Sequence, residues 1–201
     1  MKKFVLLLLS LVLALPTAAQ KTTFEGLELE GSTDDFIAAL EEMDFVREAE
    51  DDGDPMLTGS VMDYDECVVI VHAADSVVFA VTAGIMECES WEEVEENYFD
   101  LREQLEREYG APADAAEYFE DLPDDADDDT KFEALLARQG ELAAWFSSEN
   151  GYVTLQVEVP DTDEPESCFI TLYFCNENNA ELAADDPADP DEEPADDADE
   201  D

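Results

Sequence analysis

The stretch SWEEVEENYFDLREQLEREYG, Ser90–Gly110, decides how the chain is organised. Ser90-Trp91-Glu92-Glu93 is a capping-box pattern, in which a serine hydroxyl and a glutamate carboxylate satisfy amides that a helix start leaves open. Trp91, Val94, Tyr98, Leu101, Leu105 and Tyr109 then recur every three or four residues, which lines them along one helix face. Gly110 and Pro112 end the helix. Strand-like runs follow at Ala115–Phe119, Leu142–Ser147, Tyr152–Val159 and Cys168–Cys175, with SSENG as a tight hairpin and a short helix expected near Phe132–Arg138.

The same order occurs earlier in the chain. Phe24, Leu27 and Leu29 suggest a short strand, and Ser32 or Thr33 can cap a helix that carries Phe36, Ile37, Leu40 and Met43 at helical spacing. Asp34 and Asp35 suit its positive N-terminus. Runs at Met56–Asp63, Cys67–His72 and Val77–Met86 read as strands, the last two joined across HAADS as a hairpin. Helix followed by antiparallel meander, twice, predicts an α+β protein of two tandem units, residues 20–89 and 90–180, each with its helix packed on one sheet face.

The ends differ from this body. Met1–Gln20 has two lysines, an apolar run from Phe4 to Leu15, Pro16, and small residues before Gln20. That is the signature of a secretory signal peptide over residues 1–19, and the run falls short of the roughly 18 to 20 residues that span a bilayer. No cysteine stands near the cut to accept a lipid, so the expected product is exported to the periplasm or medium, is not a lipoprotein, and does not insert into the membrane. From Glu181 to Asp201 the chain is nearly all Asp, Glu, Ala and Pro, a composition that cannot offset its ordering entropy and predicts a disordered acidic tail. The acidic EDLPDDADDDT, Glu120–Thr130, is expected to be an exposed loop.

Eight Lys and Arg stand against 57 Asp and Glu, a formal net charge of −49. Such a surface repels nucleic acid and anionic lipid, and suits a basic protein partner or weakly held, non-specific cations. Calcium binding through the acid clusters is an alternative reading, yet no stretch has the alternating oxygen ligands, central glycine and closing Glu of a calcium loop. A hydrolase using paired carboxylates is a second alternative, although with so many acids their proximity carries no specificity. The single histidine, His72, is five residues from Cys67, on the opposite strand face, which argues against a Cys–His nucleophile pair. No phosphate loop, GxSxG elbow, HExxH or CxxC pair occurs, so no catalytic residue, cofactor or metal ligand is assigned. The leading expectation is a non-enzymatic binding or interaction module.

Cys67, Cys88, Cys168 and Cys175 form an even set in an exported chain, where disulfides are expected. Cys168 and Cys175 on one strand would face opposite ways, about 23 Å apart, beyond disulfide reach. Cys67 with Cys88 is the nearest pair in sequence, although a simple hairpin about Ala74 leaves Cys88 about 20 Å further along. Bridges between the halves and buried free thiols stay open as alternatives, and Cys168, beside Ile170, Leu172 and Phe174, fits a core position.

The strings TFEGLELEGSTDDFIAALEEMDF, SWEEVEENYFDLREQLEREYGAP and CFITLYF resemble a group of exported proteins of Bacteroidota to which no activity is assigned. The resemblance implies export and an α+β fold, and supplies no functional residue. In architecture, tandem helix-plus-meander units are similar to the beta-lactamase inhibitor protein and to the small lipoprotein subunit of the outer-membrane assembly machine. Both of those present a sheet to a protein partner, so that resemblance implies a binding role.

Overall fold

The computed structural model describes residues 20–51, 54–123, 125–162 and 165–184. Residues 1–19, expected to be a signal peptide, and 185–201, expected to be an acidic tail, lie outside them. The fold is α+β: one eight-stranded antiparallel sheet carries three helices against one face, and a fourth follows the last strand.

The chain opens with a two-stranded ribbon, β1 (Thr23–Phe24) and β2 (Leu27–Glu28), and then α1 (Thr33–Glu42). Ser32 is the N-cap: its hydroxyl accepts from the Asp35 amide and donates to the Asp35 carboxylate. A meander follows, β3 (Val46–Asp51), β4 (Asp54–Val61), β5 (Tyr64–Ala74) and β6 (Val77–Cys88). The long helix α2 (Trp91–Tyr109) comes next, capped by Ser90 and ended at Gly110, whose φ of 87° favours glycine. The capping box is offset by one residue: the Glu93 amide donates to the Ser90 hydroxyl, whereas the Glu93 carboxylate accepts from the amide of Glu89.

The rest is β7 (Asp114–Phe119), α3 (Asp128–Leu136), β8 (Gly140–Ser147), β9 (Gly151–Glu158), β10 (Cys168–Asn176) and α4 (Glu177–Ala184). The helix expected at 132–138 starts earlier, inside the stretch expected to be a loop, because the Asp127 carboxylate accepts from the Thr130 amide and caps it. Part of the stretch expected as tail, from residue 181, is ordered. Residues 181–184 are helical in α4, which is tied down where the Asn179 side chain donates to the carbonyls of Leu29 and Val78.

Strand order is β3-β4-β5-β6-β10-β9-β8-β7, so β6 and β10 meet in the middle and β3 and β7 are the edges. Alternation along each strand separates two faces. One carries Leu57, Val69, Val81, Leu172, Leu155 and Phe146, which join Phe36 and Leu40 of α1, Leu101 and Leu105 of α2 and Leu135 of α3 in a single core. The α2 stripe is buried as its spacing predicts from Trp91 to Leu105. The N-terminal segment is pinned to the far half of the sheet, since the Thr22 amide donates to the Asn150 side chain and the Thr22 hydroxyl bonds to the Cys175 carbonyl.

Candidate functional site

The second face of the sheet carries its own composition, set by the residues that alternate with the core. A single row crosses it: Ile70 stands opposite Thr82, Thr82 opposite Tyr173, Tyr173 opposite Thr154, and Thr154 opposite Trp145. The next row runs His72, Ala80, Cys175, Tyr152 and Ser147. A third passes through Val68, Gly84, Thr171 and Gln156. Hydroxyls and aromatic rings therefore alternate over the sheet centre.

This face holds an open depression of about 450 Å³ bordered by Thr82, Trp145, Tyr152, Thr171 and Tyr173, with Glu158 and Glu177 also on its wall. Tyr152 and Tyr173 lie with ring centroids 6.0 Å apart. Beneath them Cys175 is buried. Burial pushes both tyrosine hydroxyls above their ordinary range, and the adjacent Cys175 adds to the shift. The Cys175 thiol is itself raised by burial, which its hydrogen bonds with the two tyrosines partly offset. Thr171 is 7 % exposed, and its hydroxyl is buried with no hydrogen-bond partner.

His72 sits at the margin of this surface. Its Nδ1 is 2.7 Å from Asp54 Oδ2 and its Nε2 is 2.8 Å from Thr82 Oγ1, with the rings of Phe79 and Tyr173 at 6.2 and 6.4 Å. Carboxylate, imidazole and hydroxyl in this order have the connectivity of a nucleophilic triad. The surroundings do not complete one. Thr82 lies inside the sheet, paired to Ile70 on one side and Tyr173 on the other, and those ladders occupy the backbone N–H groups that an acyl-transfer site needs free. The arrangement orients the ring and ties β4 to β5 and β6.

Exposed apolar side chains also favour this face. Val46, Val68, Tyr118 and Phe169 are 59 %, 40 %, 49 % and 37 % exposed. Val46 pairs with Thr58 and Thr58 with Val68, Phe169 alternates with core residues Cys168 and Ile170, and Tyr118 pairs with Glu141. All four therefore stand away from the helices.

The four cysteines are buried free thiols. Cys67 and Cys88, a candidate pair by sequence, are not brought together: the Cys67 thiol contacts the carbonyl of Ile85, three residues short of Cys88, about 10 Å along the strand. Cys88 instead stands opposite Cys168. Cys168 points into the core with Ile170 and Leu172, whereas Cys175 occupies the other face under the tyrosines. Cys67 and His72 fall on opposite faces as alternation requires.

Among the described residues, no group of three or more His, Cys, Asp or Glu side chains is placed to hold a metal ion. No helix among them is long and apolar enough to cross a membrane. The open-face rows are what a site search in the sequence misses, because none of their residues forms a motif. Their only sequence signal is an aromatic or threonine recurring at the alternate positions of strands already recognised by their core residues. Compared with known proteins, the chain matches no family model, no curated protein and no solved structure.

Proposed function

We propose that this chain is an exported, non-enzymatic binding module whose open sheet face docks a protein partner bearing basic side chains. The observation that carries the reading is the concentration of exposed Val46, Val68, Tyr118 and Phe169, with half-buried Trp145, Tyr152 and Tyr173, on the face that α1, α2 and α3 leave bare. Aromatic anchors with neutral hydroxyls between them are the composition of protein interfaces. The net charge of −49 favours a cationic partner and speeds its encounter.

Two tandem units account for this surface. A meander β3-β4-β5-β6 after α1, and another β7-β8-β9-β10 after α2, joined edge to edge through β6 and β10, would give the observed order with α1, α2 and α3 against one face of a continuous sheet. Export, read from the leader-like Met1–Gln20, supplies the setting.

The test is retention of partners from envelope extract and culture medium by immobilised protein. Val68→Glu/Phe169→Glu should lose a partner that wild type retains, while Phe99→Glu, on the exposed side of α2, should keep it. Equal retention by all three proteins, or none by wild type in both low and moderate salt, would refute the docking role.

A further inference from the structure

Cys88 ends β6 and Cys168 begins β10, and the two are direct cross-strand partners where the first half of the sheet meets the second. Opposed residues on antiparallel strands have Cα atoms about 4.5 to 5.5 Å apart, inside the roughly 4.4 to 6.8 Å that a disulfide spans. Both side chains are fully buried on the core face, and the Cys168 thiol donates to the Cys88 carbonyl at 3.9 Å. The interaction with Cys168 and burial push the Cys88 thiol up, whereas the same interaction lowers that of Cys168. Neither remaining cysteine competes. Cys67 lies on β5, with β6 between it and Cys168, and Cys175 faces the other side of the sheet.

We propose that Cys88 and Cys168 are an oxidation site that closes as a cross-strand disulfide during folding, locking the seam between β6 and β10. The bridge joins positions 80 residues apart, so it ties the two meanders covalently and fixes the register that aligns Thr82 with Tyr173 on the open face.

The oxidant is a disulfide, either a protein thiol–disulfide oxidase or glutathione disulfide. One cysteine thiolate attacks it, forming a mixed disulfide and expelling one thiolate. The second cysteine thiolate then attacks the protein sulfur of that mixed disulfide, forming the Cys88–Cys168 bond and expelling the other. The two electrons and two protons given up by the cysteines leave on the two released thiols. Since both sulfurs are buried in the folded sheet, the exchange takes place before β10 docks on β6. The proposal rests on export only for where an oxidant is met in the cell.

The test is a thiol map of the full chain, denatured, refolded in glutathione and glutathione disulfide, quenched in acid and alkylated under denaturing, non-reducing conditions. The expected result is a mass lower by two hydrogens, labels on Cys67 and Cys175 alone, and a proteolytic fragment that links the Cys88 and Cys168 peptides. Cys67→Ala/Cys175→Ala should form the same bridge. Four labelled cysteines, or a link between any other pair, overturns the proposal. Because the oxidant is supplied in the tube, failure here leaves the docking reading untouched, and success does not depend on it.

Discussion

Tyr173 of β10 stands directly opposite Thr154 on β9, and its ring lies 6.0 Å from that of Tyr152, which stands opposite the buried Cys175. Removing one ring should expose that thiol. Tyr173→Ala is expected to make Cys175 react with a small alkylating reagent in the native state, whereas in wild type it is protected. Native-state labelling followed by peptide mass mapping reads this, and equal protection in the two proteins would contradict the placement.

Gly151 is required where β9 passes β10. A Cβ built there would lie 1.8 Å from the Cys175 carbonyl oxygen, a backbone atom that cannot swing aside. Gly151→Ala should cost at least the roughly 1 to 3 kcal/mol typical of overpacking, through loss of the β9–β10 pairing. Gly26, whose added Cβ would meet nothing within 4 Å, gives the contrast: Gly26→Ala carries only the penalty of its positive φ. Denaturant midpoints compare the two.

Two hairpins use turns that glycine would suit better. Met62-Asp63 and Asp75-Ser76 each fill a two-residue connection with positive φ at both positions, 49° and 69° in the first and 49° and 65° in the second. Left-handed backbone costs most L-residues about 1 to 2 kcal/mol, less for Asp. Asp63→Gly and Ser76→Gly should therefore each stabilise the protein by roughly 0.5 to 1 kcal/mol in chemical denaturation. No gain in either would refute the turn geometry.

Alkaline pH should unfold this protein through its tyrosines. Burial raises Tyr64 and Tyr109 to about 12, and raises Tyr98 and Tyr173 as well, with Glu117 adding to Tyr98 and Cys175 to Tyr173. An acid whose folded pKa exceeds its unfolded value binds more protons when folded, so its contribution is fully present below pH 10 and is lost as pH rises through the folded values. Stability should fall from about pH 10 upward, with tyrosinate absorbance and loss of secondary structure advancing together. Full tyrosine ionisation in a protein that keeps its circular dichroism would contradict the burial.

The helices and most strands were legible because their apolar spacing is strong. Ser32 and Ser90 cap where the pattern places them, and Trp91, Val94, Tyr98, Leu101 and Leu105 are all buried. Val46–Asp51 was not legible as a strand: it is an edge with the polar sequence VREAED, held by pairing to β4 rather than by apolar residues of its own. Glu177–Ala184 leaves little trace in the sequence because its anchoring comes from Asn179 reaching carbonyls at positions 29 and 78, a tertiary bond. The hairpin between β5 and β6 is legible in the sequence, but its register differs from a simple hairpin about Ala74. The turn is Asp75-Ser76 and a bulge follows His72, and together these put Val68 opposite Gly84. The open-face rows depend on that register and on the β6–β10 seam, so they emerge only from the folded sheet.

If the bare sheet face is the surface that meets a partner, site-specific photocrosslinking in exporting cells will trap that contact. A photoreactive side chain at Phe169 or Val68 is predicted to give one discrete protein adduct, lost when Tyr173→Ala is added, while the same group at Phe99 on α2 gives none. Adducts from Phe99 alone, or none from Phe169 and Val68, would contradict it.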